Sequence, residues 1–332
     1  MKTFIIAEAG VNHNGDMDIA KKLIDVAVEC GVDAVKFQTF KAENLVTDYA
    51  ALAEYQKSNE KKSNNQLEML KKLQLSFDNF KELQAYCKGK IKFLTTAFDF
   101  ESLNYIIDDL KIDIVKIPSG EITNLPYLLI CAKSGLPIIL STGMAEINEV
   151  AESVKILREN GCKDLTILHC STEYPAPKNE VNLLAMQTMQ KRFHCNVGYS
   201  DHTQGCEIAF AAVALGAKVI EKHFTLDKTM DGPDHAASLN PAELKHLVEG
   251  IRNIESALGS GEKKVSTSEL KNKDIARKSI VAKCDIAKGT IYSNENLSTK
   301  RPGTGISPMR WDEIIGKKAA RAFKKDEQIE LG

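Results

Sequence analysis

TFIIAEAGVNHNGDMDIAKKLIDVAVECGVDAVKFQTF, residues 3–40, holds in one stretch the unit from which most of the chain is built. It opens on a β-branched apolar run, TFIIAEAG (3–10), and closes on another, AVKFQTF (34–40). Between them DMDIAKKLIDVAVECG (16–31) reads as a helix: Asp16 can cap its start, Ile19, Leu23, Ala27 and Val28 recur on one face, and Gly31 can end it. Two apolar runs joined by a helix are a parallel βαβ unit. Parallel strands need a crossover and, being covered on both faces, read as continuous apolar stretches.

Working outward, the same alternation continues through IKFLTTAF (91–98), DIVKIPSGE (113–121), PIILSTGM (137–144), LTILHCSTEYP (165–175), CNVGYSDHT (195–203) and KVIEKHFT (218–225). Eight apolar strands, each followed by a helical segment such as Glu146 to Gly161, predict a closed (β/α)8 TIM barrel, with a doubly wound sheet as the alternative. One connection is unusually long, from Lys41 to about Leu73, and reads either as a lid or binding loop or as a surface helical insertion. The last barrel helix is PAELKHLVEGIRNIESALG (241–259). The predicted organisation is a catalytic barrel over 1–260, a polar linker over 261–275, and a small β-rich module over 276–332 with Lys-Gly and Pro-Gly turns.

Composition narrows the function classes. The 44 basic and 45 acidic residues nearly cancel without a long block of one sign, which argues against nucleic-acid or membrane-surface binding. No stretch is long and apolar enough to span a bilayer, and the start lacks the features of a signal peptide. The eight cysteines are irregularly spaced with no CxxC, so a reduced, cytoplasmic protein is expected.

In a barrel of this kind the C-terminal strand ends converge on one mouth, and here those ends are polar. They offer Glu8, Asn12 and His13, then Lys36, Gln38 and Thr39, Thr95 and Thr96, Lys116, Ser119 and Glu121, Ser141 and Thr142. Strands six to eight add His169, Ser171, Thr172 and Tyr174, then Ser200, Asp201 and His202, then Glu221, Lys222 and His223, with Asp234 beyond. Buried polar groups cost free energy unless paired, so a barrel without a ligand has no use for so many. His202 and His223 close adjacent strands and can approach one ion together; a two-histidine site suits a metal completed by substrate oxygens, such as Mn²⁺. Lys36 and Lys116 sit in apolar strands and predict an anion between them, to which Thr96, Ser119 and Ser200 can donate. A Schiff-base lysine is the competing reading. His169 reads as a packing residue, and His13 as a helix cap.

Taken together, AEAGVNHNG, VKFQTF, KIPSGE, ILSTGM, HCSTEYPAP, GYSDHT, EKHFTLDKTMDGPDH and KRPGTGISP resemble the sialic acid synthase family, in order and over essentially the whole chain. The resemblance implies a (β/α)8 barrel followed by an antifreeze-like SAF domain, swapped across a homodimer, and condensation of phosphoenolpyruvate with an N-acylated amino sugar. It implies a divalent metal, usually Mn²⁺, on His202 and His223. It places phosphoenolpyruvate on Lys36, Thr96, Lys116, Ser119, Thr172 and Ser200, where some members have asparagine in place of Thr172. It gives the sugar to Gln38, Tyr174, Asp234 and the partner-supplied Arg301, and gives Glu8 the proton of the reacting aldehyde. N-acetylmannosamine and a 2,4-diacetamido-2,4,6-trideoxymannose both remain as acceptors, with pseudaminate synthesis a third possibility. A silent sugar-binding protein on the same fold is the alternative from another class.

Overall fold

The computed structural model describes residues 2–51 and 65–331. The chain divides into two compact units, Met1–Gly259 and Ser260–Gly332.

The first βαβ unit forms as its residues direct. The Asp16 carboxylate accepts from the Asp18 and Ile19 amides, and Gly31, at φ 75°, ends the helix Met17–Cys30 in the left-handed region that glycine tolerates. The buried stripe is Ala20, Leu23, Ile24 and Ala27, slightly rotated from the predicted face, so that Val28 is exposed.

The strands are β1 (Phe4–Gly10), β2 (Ala34–Thr39), β3 (Lys92–Ala97), β4 (Val115–Ile117), β5 (Ile138–Ser141), β6 (Leu165–Cys170), β7 (Asn196–Asp201) and β8 (Val219–His223). They run parallel in the order β3-β2-β1-β8-β7-β6-β5-β4. The first strand pairs with the last, β8, as well as with β2, and the two ends of that order, β3 and β4, lie against each other, so the sheet curls into a ring, which excludes the doubly wound alternative. β3 and β4 are neighbours at the seam, but no ladder joins them. Several strands are shorter than predicted. β4 ends at Ile117 because Pro118 cannot donate to a ladder and Ser119–Glu121 then turns as a 3₁₀ helix.

Inside the ring the side chains stack in two tiers. Ile6, Ala34, Leu94, Ile139, Leu168 and Val219 form an apolar plug, with Phe4 and Ile114 against it. Two positions further along the eight strands, on the same face, stand Glu8, Lys36, Thr96, Lys116, Ser141, Cys170, Ser200 and Glu221. The plug is tight: a methyl on Gly198 would meet the Val219 carbonyl oxygen at 2.3 Å and Leu168 Cδ2 at 2.7 Å.

The long connection after β2 is a short helix, Ala42–Leu45, and a longer one, Gln66–Leu73; its middle, 52–64, lies outside the described residues. Met69 and Leu73 pack with Val11 and Phe40 as a satellite cluster above the barrel.

The second unit is a small β fold. Strand Ser279–Ala282 pairs antiparallel with Leu297–Lys300, around a core that includes Ile280, Tyr292, Leu297, Ile314 and Phe323. Part of the segment read as a linker is helical, Thr267–Ala276, started by a reciprocal Ser266–Glu269 capping box. Arg301 follows the second strand and is exposed.

Candidate active site

The polar tier forms the floor of a cavity at the C-terminal ends of the strands. Strand register brings its charges together: Glu8 pairs with Lys36 on β2 and with His223 on β8, and Ser200 pairs with Glu221. Lys36 Nζ lies 2.6 Å from Glu8 Oε2, 3.7 Å from Glu221 Oε2 and 3.1 Å from Thr96 Oγ1. Lys116 Nζ lies 3.6 Å from Glu221 Oε1 and donates to Ser141 Oγ at 2.7 Å. Ser200 donates to Glu221 at 3.0 Å and Gln38 to Glu8 at 3.1 Å.

The group expected between the two lysines is therefore supplied by the chain itself, as the Glu221 carboxylate. Both lysines and both glutamates are buried, and their formal charges cancel. Burial pushes the Glu8 carboxyl up to about 7 against the pull of Lys36, helped by the neighbouring Glu221 charge. Burial would also raise Glu221, but Lys116 and Lys36 outweigh it and hold that carboxyl down to about 2. Loss of hydration lowers Lys116; Lys36, equally buried, is raised because two carboxylates outweigh that loss. Glu8 is thus the carboxyl of the tier that exchanges a proton near neutrality.

The histidines lie on one side of the cavity, with ring centroids 5.5 Å apart. His202 Nδ1 bonds the Ser171 carbonyl oxygen, which fixes that nitrogen as the donor and turns the Nε2 lone pair toward Ser200, 3.4 Å away. His223 Nδ1 is buried with no hydrogen-bond partner, 3.8 Å from Asp234 Oδ2. Burial pulls His202 down to about 4 and His223 well below the usual range, so both are neutral, the form that ligates. A carbonyl that fixes the His202 ring, an orphaned buried nitrogen on His223 and two neutral rings fit a divalent ion. Among the described residues no three His, Cys, Asp or Glu side chains converge on one ion position, so such an ion would take its remaining ligands from substrate or water. The Tyr174 ring lies tilted by 33° against His202, centroids 4.2 Å apart, and meets His223 edge-on at 5.6 Å.

Eleven of the residues given a binding or catalytic role from the sequence line this one cavity: Glu8, Lys36, Gln38, Thr96, Lys116, Ser119, Thr172, Tyr174, Ser200, His202 and His223. Asp234 lines an adjoining cavity with Gln38, Tyr174 and His223. Arg301 belongs to the second unit. His169 bonds the Val181 carbonyl at 2.6 Å, a packing role. His13 accepts from the Gly15 amide rather than capping the helix, which Asp16 does. In the sequence Glu221 and Ser141 show only as polar strand ends, and Cys170, 3.2 Å from Ser119 Oγ, shows only as one of the irregularly spaced cysteines. The signal that finds all three is the two-residue step from the plug.

Residues 23–263 match the NeuB family, and residues 277–331 match the SAF domain. The chain is 56% identical to the N,N'-diacetyllegionaminic acid synthase of Campylobacter jejuni, across 99% of both chains. It is 50% identical to the enzyme of the same name from Legionella pneumophila, over 95% of this chain and 90% of that one. Among solved structures it resembles an N-acetylneuraminic acid synthetase of Leptospira borgpetersenii, with a TM-score of 0.73 and 35% identity, over 82% of this chain and 90% of that one.

Proposed function

The chain belongs to the NeuB family, and from that premise we propose that its polar tier joins phosphoenolpyruvate to a 2,4-diacetamido-2,4,6-trideoxymannose and releases phosphate, forming N,N'-diacetyllegionaminate. At the coarser level it is a phosphoenolpyruvate-dependent, sialic-acid-type synthase. High identity to two diacetyllegionaminic acid synthases over nearly full length supports the choice of acceptor.

The observation that carries the chemistry is the paired lysine and glutamate tier. Phosphoenolpyruvate brings a carboxylate and a phosphate to a cluster whose own charges cancel, so binding calls for either further positive charge or a proton on Glu8. Lys36 and Lys116 hold the anion, and Thr96, Ser119, Thr172 and Ser200 donate hydrogen bonds to it. Glu221 keeps both lysines in place in the free enzyme. A divalent cation on His202 and His223, Mn²⁺ in our reading, would supply Lewis-acid polarisation of the sugar aldehyde.

C3 of phosphoenolpyruvate attacks the aldehyde carbon and the new C–C bond leaves positive charge at C2. Glu8 Oε gives its proton to the aldehyde oxygen as that bond forms. Water adds at C2 and returns a proton to the Glu8 carboxylate, the tetrahedral adduct breaks its C–O bond to phosphate, which leaves with the hydroxyl proton, and the open-chain α-keto acid closes to the nine-carbon sugar. Gln38 and Asp234 orient the acceptor beside Tyr174. These residues act by position and charge rather than by covalent catalysis.

Arg301, on the small second unit, would meet the acceptor's acetamido group in a partner's barrel, in a swapped homodimer. All eight cysteines are free, which suits a reducing cytoplasm. Product mass spectrometry with phosphoenolpyruvate and each candidate sugar tests the reading. The nine-carbon product should form best from the trideoxy sugar, stop on chelation and resume with Mn²⁺. A product from N-acetylmannosamine alone would transfer the assignment to neuraminate synthesis, and turnover untouched by chelator would remove the metal.

A further inference from the structure

Next to the catalytic cavity lies a second one of about 250 Å³, and Gln38, Phe98, Tyr174 and His223 line both. It is larger than cavities of roughly 150 Å³ that admit a benzene ring. Much of its wall comes from outside the barrel strands. Leu45 and Val46 belong to the short helix after β2 and its end; Met69, Leu70 and Leu73 belong to the helix Gln66–Leu73; Phe40 ends the strand side. Met69, Leu73 and Phe40 are buried in the satellite cluster, whereas Leu45, Val46 and Leu70 are only partly covered and are free to meet a ligand. The polar lining is Gln38, Gln66, Tyr174, His223 and Asp234, the last three on the side nearest the catalytic cavity. The Gln38 amide donates to Glu8, and the Gln66 amide donates to the Ala51 carbonyl.

We infer that this annex reads the C6 end of the acceptor sugar and selects a methyl over a hydroxymethyl, with Leu45, Val46 and Leu70 as the specificity-determining residues. The inference rests on the synthase reading above. The aldehyde end must reach the histidines and Glu8, so the remaining carbons run past Gln38, Tyr174 and Asp234. Those residues border the annex, and the chain's far end enters it. A C6 hydroxyl turned toward Leu45, Val46 and Leu70 would lose its water against side chains that cannot bond it, whereas a methyl would bury apolar surface there. An apolar pocket that meets one added hydroxyl discriminates by about ten- to a hundredfold. The long connection after β2 thereby acquires a role: it carries the wall that reads the substrate's tail.

The test uses two sugars that differ only at C6, N-acetylmannosamine and its 6-deoxy analogue, with phosphate release as the readout. The wild-type enzyme should favour the 6-deoxy sugar by at least tenfold in kcat/KM. Val46→Thr, which keeps the shape and adds a hydroxyl, combined with Leu70→Gln, should reduce that preference to within about twofold. The KM for phosphoenolpyruvate should stay within twofold and the melting temperature within a few degrees. Equal use of both sugars by the wild type, or an undiminished preference in the double variant, overturns the annex while leaving the synthase reading intact. Absence of phosphate with these sugars and with the diacetamido trideoxy sugar overturns both.

Discussion

At the scale of single residues the decisive contrast is between Glu8 and Glu221, two buried carboxyls in one tier with opposite shifts. Glu8 rises from 4.5 to about 7, so between those values the folded protein keeps a proton that the unfolded chain has lost. Its contribution to stability therefore declines as pH climbs through that window, and its capacity to donate a proton is lost as pH passes about 7. Wild-type kcat/KM should show a falling limb centred near that value. Glu8→Gln should flatten the limb and cost kcat on the order of a hundredfold, the usual worth of a positioned acid. An unchanged pH profile in the variant would take the proton away from Glu8. Lys116→Ala removes one charged hydrogen bond to the anion, worth about 1.5–3 kcal/mol, so the KM for phosphoenolpyruvate should rise roughly ten- to a hundredfold with little change for the sugar. Borohydride should trap no adduct on Lys36 or Lys116; an adduct would restore the Schiff-base reading.

At the scale of elements, much was legible. Parallel strands covered on both faces had to be apolar runs, and the Asp16 and Gly31 caps bounded the first helix within a residue. The role of Glu221 was not legible, because which carboxylate lies between two lysines depends on register across the ring, and register is a long-range property. The Ser266–Glu269 capping box was readable, yet the helix Thr267–Ala276 buries no residue and so gave no apolar stripe to find. The plug beneath the tier is a packing requirement that makes its own prediction. Gly198→Ala forces a methyl onto a backbone carbonyl at 2.3 Å and should cost at least the ~1–3 kcal/mol typical of an overpacked core, read as a lower urea midpoint. Gly120→Ala, whose methyl would meet nothing within 4 Å, is the matched control and should leave the midpoint unchanged.

At the scale of the whole molecule, the barrel carries the lysines and histidines and the second unit carries Arg301. A shared site predicts complementation between His223→Ala chains and Arg301→Ala chains. Each variant alone should be nearly inactive. Random coexpression makes half of the dimers mixed, each with one complete site, so about a quarter of wild-type activity should return. Coexpressed variants that remain as inactive as the separate ones would place Arg301 outside the partner's site.

The seam in the ring has a mechanical consequence. β3 and β4 meet without a ladder, and they carry Thr96 and Lys116, two of the groups proposed to grip the same anion from opposite lips of that gap. Phosphoenolpyruvate then acts as a clasp across the one unstitched joint of the hoop. Amide hydrogen exchange should be faster along the facing edges of β3 and β4 than in β1 or β8, and saturating phosphoenolpyruvate should slow it there more than elsewhere in the barrel. Uniform protection around the ring would mean that the hoop is already rigid before its ligand arrives.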